Sequence, residues 1–177
     1  MTAIALFLFG LIVLLLLTAL LMKKRHYVKC SIEVDVPASL AYDFLRFLKN
    51  QERFNKWAKT DPNRKVSSVG DDGTIGYKYI WKDDKSAGEG EKEIVGLVVN
   101  EKIETVLRFI RPMSVTAFVT IETQNLSEKK SLVSLINFGQ LNFPLNLLIP
   151  FAEKNFANDM NESLQNLKSI LEEEFRV

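Results

Sequence analysis

Few side chains in this 177-residue sequence are suited to chemistry, and their spacing can be weighed one group at a time. There is one His, His26, and one Cys, Cys30. That leaves no internal disulfide and argues against a His/Cys zinc site. His26 follows Lys23, Lys24 and Arg25 in a basic run that reads as lying outside the folded domain, so it is a poor general base. No G-x-S-x-G elbow, P-loop or G-x-G-x-x-G occurs, and no nucleophile has a partner at motif spacing. No catalytic set, metal site or cofactor is expected.

Three groups remain. Glu89, Glu91 and Glu93 share one face of a strand; they can hold a cation or supply a base, but a solvated outer face is the plainer reading. Val95, Leu97 and Val99 continue their parity, so a bulge near Gly96 would reassign the faces. Gly88-Glu89-Gly90 is only G-x-G within that strand, where glycine permits a bulge or a close backbone approach. Arg108 and Arg111 flank Phe109 and Pro112. An inward arginine would grip a ligand carboxylate or phosphate with two hydrogen bonds; the alternative is a structural ion pair with Glu104 or Asp61. Trp57, Tyr77, Tyr79 and Trp81 offer apolar area with polar tips, which suits an amphipathic guest as well as an ordinary core.

The elements that must position these groups begin with an apolar run. Residues 1–22 contain no charged side chain. As a helix they rise about 33 Å, enough for a hydrocarbon core of about 30 Å. The run is too long for a signal peptide, has no basic start, and lacks an A-x-A cleavage site. A retained single-pass anchor is expected over 1–22, with a basic linker at 23–26 and one domain over 27–177. Lys23, Lys24, Arg25 and Lys29 contribute +4, while 30–177 carries 19 basic and 22 acidic residues. The positive-inside rule then places 23–177 in the cytoplasm and the amino terminus outside. A net charge of +1 argues against a general nucleic-acid binder.

Beyond the anchor, residues 27–36 alternate, with Val28, Cys30, Ile32, Val34 and Val36 on the apolar side. Leu40, Phe44, Phe47 and Leu48 give a helix over 38–50, and a second short helix holds Phe54 and Trp57. Asp61-Pro62-Asn63 reads as a turn. Six strands follow at 64–70, 75–82, 87–99, 103–110, 115–125 and 130–140, with short breaks such as Asp71-Asp72-Gly73 and Asp83-Asp84-Lys85. Breaks this short predict an antiparallel meander. In the second strand Ile75, Tyr77, Tyr79 and Trp81 share a face. Phe156, Met160, Leu164, Leu167 and Leu171 then recur at helical spacing over 151–175. Strands grouped between helices indicate an α+β domain, a curved antiparallel sheet of six or seven strands around a long C-terminal helix.

This element order resembles the START-like (SRPBCC) superfamily with its helix-grip fold. The motifs VDVPASLAYDFLRFL, FNKWAKTDPN, GTIGYKYIWKDD, the 87–91 strand start AGEGE, LRFIRPM and the closing NLKSILEE resemble its polyketide cyclase/dehydrase-like branch. The resemblance covers about 27–175, and an added N-terminal anchor is found in some bacterial members. It implies an elongated apolar cavity between sheet and C-terminal helix for a lipid, sterol, hormone or polyketide-like molecule. Candidate lining residues are Trp57, Tyr77, Tyr79, Trp81, Arg108, Phe109, Phe143, Leu147, Phe156, Met160 and Leu164.

The stretch 141–151, LNFPLNLLIPF, is an apolar connection between the last strand and the long helix. Loops are ordinarily polar, so 143–151 is expected either to be buried on the domain or to act as a lid or portal facing the membrane. The expected activity is reversible binding of a hydrophobic small molecule or lipid drawn from, or delivered to, the membrane. The alternatives are a cyclase/dehydratase-like enzyme and a membrane-tethered protein-interaction module. A polar dyad within the cavity would favour the enzyme, and a wholly apolar one the carrier.

Overall fold

The computed structural model describes residues 2–59, 64–82 and 88–175. The expected turns at Asp61-Pro62-Asn63 and Asp83-Asp84-Lys85, and the strand start at Ala87, lie outside the described residues.

Helix α1 (Thr2–Leu21) is apolar on every side and stands almost wholly exposed. Strand β1 (Arg25–Val34) follows directly. Helices α2 (Ala38–Leu45) and α3 (Leu48–Phe54) and a 3-10 turn (Lys56–Lys59) come next. Then come β2 (Lys65–Val69), β3 (Lys78–Lys82), β4 (Glu89–Val98), β5 (Lys102–Arg111), β6 (Val115–Ser127) and β7 (Lys130–Gln140). A 3-10 turn (Leu145–Leu148) leads into α4 (Ile149–Glu174). The seven strands form one antiparallel sheet in the order β1-β7-β6-β5-β4-β3-β2. Strands β2 to β7 are the expected meander, and β1 closes beside β7, with Arg25 opposite Gln140 and Val34 opposite Ser131. This is the α+β helix-grip arrangement.

Alternation and helical periodicity explain the core. Val28 and Val34 of β1, Val133 and Leu135 of β7, and Met160, Leu164, Leu167 and Leu171 of α4 are buried in one apolar cluster with α2. A second cluster holds Leu48, Tyr77, Tyr79, Trp81 and Ile94.

Several boundaries shift by a few residues from the sequence reading, β1 to Arg25–Val34 and the start of α4 to Ile149 among them, and two shifts have a clear cause. The helix read over 38–50 breaks at Phe47, whose backbone is extended (φ −85°, ψ 119°). Asp72, distant in sequence, accepts from the Leu48 and Lys49 amides at 2.8 and 3.1 Å and caps the new helix. Strand β3 starts at Lys78 rather than 75, because Gly70, Gly73 and Gly76 take positive φ in the preceding turns. Ile75 is therefore exposed and leaves the aromatic stripe.

Candidate functional site

The inner face of β3, β4 and β5 is an aromatic wall. Tyr77, Tyr79 and Trp81 are buried, and Trp81 meets Phe109 edge to face at 5.7 Å. Gly90 lies opposite Trp81 in the ladder. A Cβ there would stand 2.5 Å from the indole and 2.7 Å from the Arg108 carbonyl, so glycine is what lets the ring lie on the backbone. The bulge expected near Gly96 is present as a register shift between Ile94 and Gly96.

The same wall carries polar groups that the sequence reading missed. Lys92 pairs with Tyr79 across the ladder and shares the inner face with Gly90 and Ile94. The residue as a whole is half-buried, and its ammonium is enclosed by protein and donates to Gln51 Oε1. Gln51 is held in place because its own amide donates to the Leu45 carbonyl at 2.7 Å. Burial pushes the Lys92 ammonium down to about 8. Beside it the Tyr79 hydroxyl donates to Glu52 Oε2 at 2.7 Å and accepts from Arg64 Nη2 at 3.0 Å, and Arg64 pairs with Glu52. The Tyr77 hydroxyl is buried with no partner among the described residues. An ammonium poised near neutrality, with an amide and a phenol near it, can bind a ligand oxygen or exchange a proton with it. The signal was parity: in Gly90-Glu91-Lys92-Glu93-Ile94 the lysine falls on the side of Gly90 and Ile94.

The opposite wall comes from α4 and β1. Met160 and Leu164 are buried, while Phe156 is half-buried at the end nearest α1. Phe156 packs against Trp57 at 6.3 Å and against His26 at 5.4 Å. Trp57 is 38% exposed, at the rim. His26 corrects the sequence reading. It belongs to β1, is buried, and its Nε2 lies 2.8 Å from Asn137 Oδ1. Strand alternation turns it inward although its neighbours in sequence are basic, and Gly139 makes room for its ring. Leu97 touches both apolar clusters.

Arg108 is not among the inward groups. It lies on the outer face of the sheet, with Nη1 at 2.8 Å from Glu91 and 2.6 Å from Glu93. Arg111 binds Glu89 at 2.7 Å. The three glutamates thus form outer-face ion pairs, and Arg108 holds the Glu93 carboxyl below its ordinary range. The partners differ from those expected: Glu104 pairs with Lys102, and Asp61 lies outside the described residues. A groove of about 610 Å³ also lies on the outer face, between Arg25, Phe118, Phe138 and Gln140.

Phe143 and Leu147 lie apart from both walls, in the connection to α4. Phe143, Leu145, Leu148 and Phe151 are exposed, Leu147 is half-buried, and Asn146 is fully buried against the end of α1.

No family model matches the chain, and no curated protein matches it. Solved structures do. Norcoclaurine synthase from Thalictrum flavum is similar with a TM-score of 0.64 at 11% identity, covering 84% of this chain and 94% of that one. The same enzyme with dopamine and hydroxybenzaldehyde gives 0.62 at 11% identity, covering 84% and 87%. A protein from Chromobacterium violaceum gives 0.58 at 16% identity, covering 82% and 96%. Likeness at such identities shows the fold alone, and that fold is the Bet v1-like helix grip.

Proposed function

We propose that this protein is a membrane-anchored binding domain that holds a hydrophobic small molecule or lipid between its sheet and α4. The observation that carries the reading is the division of the interior. The interior packs as two apolar clusters that meet at Leu97: Tyr77, Tyr79 and Trp81 with Phe109 against them, and Met160 and Leu164 with Phe156 against them, with Lys92 and Gln51 as polar groups beside the first. Apolar burial at about 25 cal/mol per Å² would drive uptake. The polar groups would fix which end of an amphipathic guest enters first. Helix α1 would serve as the span, with Lys23, Lys24 and Arg25 on the cytoplasmic side. The test is organic extraction of the purified full chain, followed by mass spectrometry. A stoichiometric hydrophobic molecule supports the reading. A chain that carries none, and takes up no fluorescent lipid or polyketide-like probe, refutes it.

A second reading has its own support. A buried ammonium poised near neutrality beside a phenol can act as the acid or base of an enzyme of the cyclase or dehydratase type. The fold neighbours include an enzyme whose structure holds an amine and an aromatic aldehyde. Turnover of a bound carbonyl compound that is abolished by Lys92→Met would favour this reading over simple carriage.

A further inference from the structure

We propose that the edge of the domain formed by residues 143–151 docks into the interfacial layer of an anionic lipid bilayer, so that the domain rides in one fixed orientation instead of swinging on its anchor. This rests on the reading of α1 as a membrane span.

The chain does not run free after α1. A helix leaves its last four carbonyls without partners, and an apolar environment makes that costly. Here the Asn146 amide donates to the carbonyl of Ala19 at 2.6 Å and to that of Met22 at 3.2 Å. Lys23 Nζ reaches both oxygens of Glu153 in α4, at 2.7 and 2.8 Å. The Leu141 amide donates to the Lys24 carbonyl at 2.9 Å. The anchor is thus tied to the residues before, within and after the loop. Ala19 and Asn146 are both fully buried at this joint.

The level of the loop follows from the length of the helix. Twenty residues rise about 30 Å, the thickness of the hydrocarbon core, so α1 has no surplus length and its last turn sits at the boundary. Phe143, Leu145, Leu148 and Phe151 lie within five residues of Asn146, and all four are exposed, Phe151 by 72%. An exposed apolar group fixed beside the end of a span has lipid as its neighbour. Lys24, Arg25 and Lys154 flank this joint, where anionic headgroups attract them, while Lys23 and Glu153 neutralise each other.

The test uses the full chain with Cys30→Ser and one nitroxide-labelled cysteine, either Leu148→Cys or Phe151→Cys. Lys130→Cys, at the other end of β7, is the control. Each is reconstituted into phosphatidylcholine vesicles with and without phosphatidylglycerol, and collision with oxygen is compared with collision with a nickel chelate. The oxygen-to-nickel ratio is expected to be several-fold higher at 148 and 151 than at 130, and higher still with phosphatidylglycerol. A chain that resists carbonate extraction but gives equal ratios at all three positions overturns the docking and leaves the anchor standing. Labels at 148 and 151 shielded from both reagents mean that protein covers the edge, which also overturns it. A chain released by carbonate overturns the docking together with the anchor reading.

Discussion

Tyr79 and Lys92 stand opposite each other in the β3–β4 ladder, and each sends its polar end to one of two consecutive residues of α3, Tyr79 to Glu52 and Lys92 to Gln51. The helix is thus fastened to the inner face of the sheet by two polar contacts in an otherwise aromatic wall. Only one of the two has a countercharge. Tyr79 joins an Arg64–Glu52 pair, whereas among the described residues Lys92 has a neutral amide as its acceptor. A buried ammonium without a carboxylate costs stability, and it persists where something else uses it.

Lys92→Met should therefore stabilise the fold. Burial holds the ammonium at about 8, below its ordinary 10.5, so between those values the unfolded chain binds more protons than the folded one. Stability rises with pH across that window, and below pH 8 the full penalty, roughly 3 kcal/mol, applies. Melts of the full chain in mild detergent should show a wild-type midpoint that climbs from pH 8 to 10. The Lys92→Met midpoint should be higher at pH 7 and should lack that climb.

Gly90→Ala should destabilise by about 1–3 kcal/mol, because the new Cβ would drive Trp81 off the backbone and meet the Arg108 carbonyl. The same melts measure it, and tryptophan fluorescence should shift as the indole is displaced. Gly10→Ala, where a Cβ meets nothing within 4 Å, is the control and should be neutral.

Arg108→Ala should cost less than about 1 kcal/mol, since its pairs with Glu91 and Glu93 are solvent-screened on the outer face. Uptake of a hydrophobic probe should be unchanged. A large loss of uptake would mean that the guanidinium reaches the ligand.

Much of this was legible before any coordinates. Alternation over 27–36 and the short breaks between the later runs located all seven strands, and the 4-4-3-4 spacing from Phe156 to Leu171 located α4. What escaped was one partner remote in sequence and three places where strand parity was not carried through. The break at Phe47 is made by Asp72, a cap brought in from another loop. His26 was assigned by its basic neighbours, yet strand parity, carried one step back from Val28, turns it inward. Lys92 was hidden among three glutamates that drew attention to the opposite face. Arg108 carried no parity argument at all, although its ladder partner Glu91 lies on the outer face.

The joint between anchor and domain should loosen in acid. The Lys23 ammonium beside Glu153 holds that carboxyl below its ordinary range, so the link is intact above that range and is lost as pH falls through the lowered value. Asn146→Ala should loosen the joint at neutral pH by leaving the buried Ala19 carbonyl without a donor, at about 1–3 kcal/mol, and the half-buried Met22 carbonyl to water. Hydrogen exchange should quicken at Met22 and Leu141 in either case, while β4 and β5 stay protected.

The central claim, a hydrophobic guest held inside the helix grip, is tested most directly by photocrosslinking. The full chain in vesicles is irradiated with a diazirine-bearing fatty acid, digested, and mapped. The account predicts label on the inner-face residues of 77–81 and 107–109 and on 156–164 of α4. Label confined to α1 and 143–151, with none on those interior segments, would contradict it.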